Sequence, residues 1–107
     1  MTSQLASGDL VSDRYALALY DLSSERKVID SVLENLQSLK KTIESNKELS
    51  FLIKSPLISS NDKLKVLIKL TSSLHLNELS ITFLRVISNN KRFASLLGII
   101  SQFVKIN

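Results

Sequence analysis

The side chains in this chain that are able to do chemistry are few and scattered. It holds one histidine, His75, and no cysteine. A nucleophile–base pair of the serine-hydrolase kind would use that histidine as its base, but no G-x-S-x-G sequence accompanies it. His75 lies between two leucines, so we expect a boundary residue with one ring nitrogen on a backbone carbonyl. A catalytic base is the alternative, but with no nucleophile marked by sequence we predict no enzyme.

Phosphate and metal chemistry have no better support. Gly8 and Gly98 are isolated and no G-K-[ST] sequence occurs, which excludes a phosphate-binding loop. The acidic residues between Asp9 and Asp30 are each next to polar or basic neighbours, as is typical of solvated charges. The segment SSND is too short for a calcium loop. We therefore expect no catalytic residue, no metal and no cofactor.

Composition favours an all-α fold. The 107 residues fit one domain, and 44% are hydrophobic while 22% are charged, as in globular chains. Two glycines and one proline are too few for the many tight turns of a β sandwich. The chain is thus predicted to form a compact bundle of short helices over residues 1–107, with residues 1–11 as a flexible tail.

The charge balance is basic but diffuse. Fourteen lysines and arginines face ten acidic residues, a net charge of +4, and the basic residues come in pairs rather than in a run. Aromatic residues make up 6% and form no series beside those pairs, so a nucleic-acid partner is not expected. We find no apolar window long enough to span a bilayer and no signal or transit peptide. No membrane insertion is predicted.

Apolar periodicity and capping residues divide the chain into six helices. The predicted ranges are 12–23, 25–45, 47–54, 62–73, 77–90 and 91–107. The predicted caps are Ser12 or Asp13, Ser23 or Ser24, Asn46, Ser60 or Asn61, and Asn77. Asn89 and Asn90 are expected to end the fifth helix in a left-handed conformation, and Gly98 makes the continuity of the sixth uncertain.

The first and fifth helices carry more apolar surface than one face can bury. On the first, one stripe is Val11, Tyr15, Ala18 and Leu22, and a second is Ala16, Leu19 and Tyr20. On the fifth, one face is Leu79, Phe83, Val86 and Asn90, and another is Ile81, Leu84, Ile87 and Ser88. Either both helices are central, or they share a shallow groove that receives a partner's amphipathic helix. Small Ala16 and Ala18 would admit that helix, and Tyr15 or Tyr20 would anchor it.

Three motifs resemble one family, the delta subunit of bacterial and plastid F-type ATP synthases, whose mitochondrial counterpart is the oligomycin-sensitivity-conferring protein. RYALALYDLSSE is similar to that family's R-Y-A-x-A-L-[YF]-x-x-A, although Ser23 stands where alanine is common. The second stretch begins at Asn46 and the third at Ile81. Their matching positions are Asn46, Leu49, Leu52, Pro56, Ile58 and Lys63, then Phe83, Leu84, Asn90, Arg92, Leu96, Ile100 and Phe103. The resemblance to this family covers essentially residues 12–104 of the chain.

The resemblance implies a fold and a partner. The family's N-terminal domain is a six-helix bundle on top of the catalytic head, and an N-terminal helix of an alpha subunit docks in a groove between its first and fifth helices. The residues expected to line that groove are Tyr15, Ala18, Leu19, Leu22, Thr82, Phe83 and Val86, with Arg14, Arg85 and Asn90 at its rim. The implied role is a non-catalytic stator that keeps the head from turning with the rotor during ATP synthesis.

The resemblance also sets expectations about the second half and the location. The family's chain continues past SQF into a region that binds the b subunits of the peripheral stalk. This chain stops at Asn107, so we expect that region, and stalk binding, to be absent. The implied location is peripheral, at the cytoplasmic face of a bacterial inner membrane, or in the matrix or stroma of an organelle. The alternative function is a generic helical domain that binds an amphipathic helix of another protein.

Overall fold

The structure, a computed structural model, describes residues 10–107. Over that range the chain forms six α-helices and two short 3-10 turns, with no strand. The helices are α1 (Leu10–Glu25), α2 (Ile29–Glu44), α3 (Lys47–Lys54), α4 (Ser60–Leu70), α5 (Glu78–Asn89) and α6 (Leu96–Ile106). The 3-10 turns, Ser72–Leu74 and Phe93–Ser95, precede α5 and α6. The predicted all-α bundle of six helices is confirmed.

The first helix begins earlier than predicted. It already includes Leu10, and Ser12, expected as a cap, is buried inside it. Ser23 does not cap the next helix, because its Oγ donates to the carbonyl of Leu19 at 2.7 Å and so stays within α1. The expected tail at residues 1–11 falls outside the described residues apart from Leu10 and Val11, which are helical.

A left-handed lysine ends α1. Lys27 has a φ of 58°. Its N–H donates to the carbonyl of Ser24 at 3.1 Å, and the N–H of Val28 donates to that of Ser23 at 2.8 Å. This pair of bonds is the Schellman motif, in which glycine is the usual left-handed residue. A lysine does not mark the end of a helix in a sequence as a glycine does. The predicted start of the second helix at Glu25 was therefore wrong, and α2 begins at Ile29.

The same turn ends α5. Lys91, and neither Asn89 nor Asn90, takes the left-handed position, with a φ of 56°. The N–H of Lys91 donates to the carbonyl of Ser88 at 3.0 Å, and that of Arg92 donates to Ile87 at 2.9 Å. The sixth helix therefore does not start at Lys91, as the sequence predicted. It follows a 3-10 turn and begins at Leu96.

Three asparagine or serine caps start the remaining helices. Asn46 and Asn77 cap α3 and α5 as predicted, each accepting a backbone N–H of the first turn with its side chain. For α4 the cap is Ser59, whose Oγ accepts the N–H of Asp62 at 3.1 Å, in place of Ser60 or Asn61. None of the helices within residues 10–107 has the length and apolar character to cross a membrane.

The apolar centre of the domain is α6. Its fully buried side chains are Leu96, Ile99, Ile100 and Phe103, and both α1 and α2 pack against it. The helix is continuous through Gly98. A Cβ at that position would lie 3.1 Å from the Oγ of Ser12, so the missing side chain lets α1 lie close to α6.

A buried lysine joins α4 to the end of α3. Lys63 is buried, and its Nζ donates to the carbonyl of Ile53 at 3.0 Å. The last carbonyls of a helix carry partial negative charge, so the ammonium group stabilises the C-terminal end of α3. Lys63 is thereby a structural residue of the bundle.

A buried amide orients α5 on α2. Asn35 lies in α2, and its Oδ1 accepts the backbone N–H of Asn77 at 2.7 Å and the hydroxyl of Ser80 at 3.0 Å. The amide group of Asn77 in turn donates to Ser31 Oγ at 3.4 Å. One carbonyl oxygen thus satisfies two donors at the start of α5, and it anchors that helix to the first half of α2.

Replacing Asn35 by leucine is expected to lower the free energy of unfolding by about 2–3 kcal/mol, because the N–H of Asn77 and the hydroxyl of Ser80 lose their buried acceptor. Urea denaturation followed by circular dichroism measures it. The matched control is Gln37→Leu, the same change at an exposed position of α2. Equal stability of the two variants would contradict the role given to Asn35.

Lys27→Gly is expected to raise the free energy of unfolding by about 1 kcal/mol, because glycine adopts the left-handed conformation without the Cβ clash. The neighbouring change Arg26→Gly is the control, since Arg26 does not have a positive φ and gains no such relief. Thermal unfolding of both variants tests the turn. A lower melting temperature for Lys27→Gly than for the wild type would refute it.

Candidate partner-binding groove

The two apolar stripes of α1 face different surroundings. Ala16 and Leu19 are buried in the core, with Leu19 only 4% exposed, and Tyr20 packs its ring on Phe103 with centroids 5.5 Å apart. The other stripe is not covered in the same way. Tyr15 is half-buried, Ala18 is exposed and Leu22 is 40% exposed. Hence Ala16 and Tyr20, expected as possible contacts of a partner, belong to the interior side of the helix.

The faces predicted for α5 divide differently, because Leu79 and Phe83 of the first face are buried whereas Val86 and Asn90 of the same face are exposed. Phe83, Leu84 and Ile87 are buried, and α5 packs against α4. Ile81 lines a cavity of about 240 Å³ together with Ile68 of α4, so that side of α5 is turned to its neighbour. On the opposite flank Thr82 and Asn90 are exposed and Val86 is 42% exposed.

The exposed flanks of α1 and α5 meet at one hydrogen bond. Nδ2 of Asn90 donates to the hydroxyl oxygen of Tyr15 at 2.6 Å. Tyr15, Ala18 and Leu22 follow helical three- and four-residue spacing, and Thr82, Val86 and Asn90 are four apart, so each set lies on one face of its helix. The bonded pair therefore joins two helix faces into one surface, the α1–α5 surface, made of Tyr15, Ala18, Leu22, Thr82, Val86 and Asn90.

The two helices run antiparallel across this surface. At the Tyr15–Asn90 end, the first half of α1 meets the residue that directly follows α5. At the opposite end, Asn77 at the start of α5 bonds to Ser31 of α2. Ser31 follows the last residue of α1, Glu25, by only six positions, so the end of α1 and the start of α5 lie near the same part of α2. We name this the Asn77–Ser31 end.

Two of the residues predicted for the groove are core residues. Leu19 is 4% exposed and Phe83 is 5% exposed, so a partner can reach only their edges. The predicted rim residues Arg14, Arg85 and Asn90 are all exposed. Periodicity alone left open which stripe of each helix faces the core, because both stripes are apolar.

Within residues 10–107, His75 and the acidic residues considered for catalysis or metal binding do not form a common site. His75 is exposed and left-handed, with a φ of 50°, at the end of a 3-10 turn. Within residues 10–107 no three acidic or histidine side chains come together in a way that would hold a metal ion.

Known proteins resemble this chain over nearly its full length. The family model described as ATP synthase delta (OSCP) subunit matches residues 11–107. The chain is 33% identical over 102 residues to ATP synthase subunit delta of Rhizobium leguminosarum bv. trifolii (strain WSM2304), which covers 95% of this chain and 53% of that protein. The corresponding protein of Brucella anthropi is 36% identical over 105 residues, or 98% of this chain and 55% of the relative.

A third relative has a similar level of identity. ATP synthase subunit delta of Chlorobaculum tepidum is 33% identical over 97 residues, which cover 91% of this chain and 53% of the relative. The chain thus spans about half the length of the curated relatives that it matches.

The division into core and surface stripes can be tested by placing a carboxylate on each. Leu22→Asp and Val86→Asp are expected to stay folded, with less than about 1 kcal/mol lost, because the new charge remains hydrated. Leu19→Asp and Phe83→Asp are expected to lose more than about 4 kcal/mol, because an unpaired charge is buried. Denaturation curves of the four variants measure this. Unfolding of either member of the first pair would put that stripe in the core.

Proposed function

The chain belongs to the ATP synthase delta (OSCP) subunit family, and we propose that it acts as a non-catalytic stator element that binds the N-terminal helix of an alpha subunit on its α1–α5 surface. The observation that carries the proposal is the Tyr15–Asn90 hydrogen bond. It brings the exposed apolar flanks of two helices together at one point. An amphipathic helix laid across both flanks would contact each of them.

The exposed side chains supply the binding energy. Leu22 and Val86 are 40% and 42% exposed, and covering what remains of each contributes about 1 kcal/mol. Ala18 lies between Tyr15 and Leu22 on the α1 flank, and its small side chain allows the backbone of a bound helix to approach closely. The aromatic ring of Tyr15 adds apolar area at one end while its hydroxyl stays paired.

The proposed role needs affinity and no catalysis. A stator must resist the torque that the central rotor exerts on the catalytic head, and binding energy alone does this. In this proposal the described residues make the contact with the head. The link to the b subunits of the peripheral stalk is assigned to the other half of the relatives' length. The location that follows is peripheral to an energy-transducing membrane, on the side of the catalytic head.

The proposal is tested by titrating the chain with a synthetic peptide of the alpha-subunit N-terminal sequence from the same organism, followed by amide chemical shifts. We expect the changes to concentrate in α1 and α5. Val86→Asp should weaken binding about tenfold or more, because the peptide's apolar stripe would desolvate a carboxylate.

The matched control is Val66→Asp, the same substitution at a valine of α4 that is 36% exposed and lies outside the α1–α5 surface. It should bind the peptide like the wild type. Absence of binding at high micromolar peptide would refute the proposal, and would leave the α1–α5 surface to an amphipathic helix of some other protein.

A further inference from the structure

The cavity of about 240 Å³ beside Ile81 lies between α4, the turn that follows α4 and the first turn of α5. We name it the His75 cavity, and its lining residues are Ile68, Thr71, Ser72, His75, Leu76 and Ile81. Half-buried Ile68, Leu76 and Ile81 supply apolar walls, whereas Thr71 is only 2% exposed. None of the six belongs to the α1–α5 surface, so a ligand here would be additional to the function proposed above.

The backbone at the edge of the His75 cavity is strained. His75 has a φ of 50°, which is unfavourable for a residue that carries a Cβ. The other two left-handed residues of the described chain, both lysines, are each followed by an N–H that closes a Schellman motif. The N–H of Leu76, which follows His75, donates no such bond within residues 10–107. Strain of this kind clusters where proteins clamp ligands, so His75 marks the cavity as a binding site.

The hydroxyl groups of the His75 cavity are hydrogen-bond acceptors. Thr71 Oγ1 donates its proton to the carbonyl of Leu67 at 2.6 Å, and Ser72 Oγ donates its proton to the carbonyl of Lys69 at 2.9 Å. Since a hydroxyl has one proton, each oxygen has only lone pairs left for a ligand. A neutral imidazole at His75 adds one more acceptor nitrogen. A ligand that matches these groups therefore carries a hydrogen-bond donor.

We propose that the His75 cavity binds one uncharged aromatic ring that carries a hydrogen-bond donor, which is the chemistry of a phenol. An apolar cavity of about 150 Å³ holds benzene, so the volume of about 240 Å³ admits one ring with a short substituent. The six lining residues include no carboxylate, lysine or arginine, and a charged ligand would lose its hydration without compensation. The apolar walls pack on the ring, and Thr71 Oγ1 accepts the hydroxyl proton.

A matched pair of probes, p-cresol and toluene, tests the proposal, because the two molecules differ only in the hydroxyl group. Each is titrated into the 15N-labelled chain, and the amide chemical shifts are followed. We expect p-cresol to shift the amides of the lining residues saturably, with a dissociation constant of about 1 mM. Toluene, which lacks the donor, should bind about fivefold more weakly.

Two results of these titrations would overturn the proposal. Absence of saturation by about 20 mM p-cresol would show that the cavity is not a binding site. Equal affinity for p-cresol and toluene would show that no hydrogen-bond donor is required, and would overturn the class of ligand. Neither titration involves the alpha subunit, so failure of the function proposed above leaves this inference standing.

Thr71→Val tests the acceptor, because it removes the hydroxyl and keeps the shape of the side chain. It is expected to raise the dissociation constant of p-cresol about fivefold. The control is Thr42→Val in α2, where Thr42 Oγ1 makes the same kind of bond to the carbonyl of Ser38 at 2.9 Å but does not line the cavity. Equal affinity of the two variants would refute the role of Thr71. The probe pair needs no substitution, so it decides the proposal even where Thr71→Val does not fold.

The ring reaches the His75 cavity either as a free molecule or as the tyrosine side chain of another protein, and a third probe separates these sources. N-Acetyltyrosinamide carries the phenol ring on a peptide unit. Tighter binding of p-cresol than of N-acetyltyrosinamide would support a free phenol as the ligand. Tighter binding of N-acetyltyrosinamide would support a tyrosine of a partner, and failure of both probes to bind would overturn the site.

Discussion

The packing of α6 is the constraint on which the rest of this structure depends. Four of its side chains are fully buried, and α1 and α2 both pack against it. Gly98 lets α1 approach it closely, because a Cβ there would lie 3.1 Å from Ser12 Oγ. Once α1 uses the face of Ala16 and Leu19 for this contact, Ala18 and Leu22 of its second apolar stripe stay exposed among the helices of residues 10–107. The exposed flank of α1 is thus a consequence of how the core is filled.

The same reasoning applies to α5, where polar contacts decide the outcome. Asn35 accepts two hydrogen bonds from the start of α5, and α4 covers the side of Ile81. These contacts leave the row of Thr82, Val86 and Asn90 outward. Asn90, which directly follows α5, donates to Tyr15, so that the two uncovered flanks meet at this hydrogen bond. A buried amide of α2 therefore helps to determine which residues of α5 stay exposed.

A small domain that shows no catalytic site within its described residues can still bind a partner specifically if the two ends of its binding surface differ. The α1–α5 surface combines apolar flanks with exposed cations, Arg14 and Lys91, at its Tyr15–Asn90 end and with exposed carboxylates, Asp21 and Glu78, at its Asn77–Ser31 end. Apolar contact supplies most of the affinity for such a surface, while charges at its ends add specificity.

The sequence by itself determined the all-α class, the apolar stripe of α2 and the caps at Asn46 and Asn77. It also revealed the surplus of apolar residues on the first and fifth helices. These features depend only on local spacing and side-chain type. It did not locate the turns at Lys27 and Lys91. In both Schellman motifs the left-handed residue is a lysine, and the glycine that usually marks such a turn in a sequence is absent. It also left Leu19 and Phe83 among the expected surface residues. Only the tertiary structure decided which apolar residues are buried, because apolar positions look alike in the sequence: on α1 the stripe of Ala16 and Leu19 is buried, and on α5 one predicted face is split between buried Phe83 and exposed Val86.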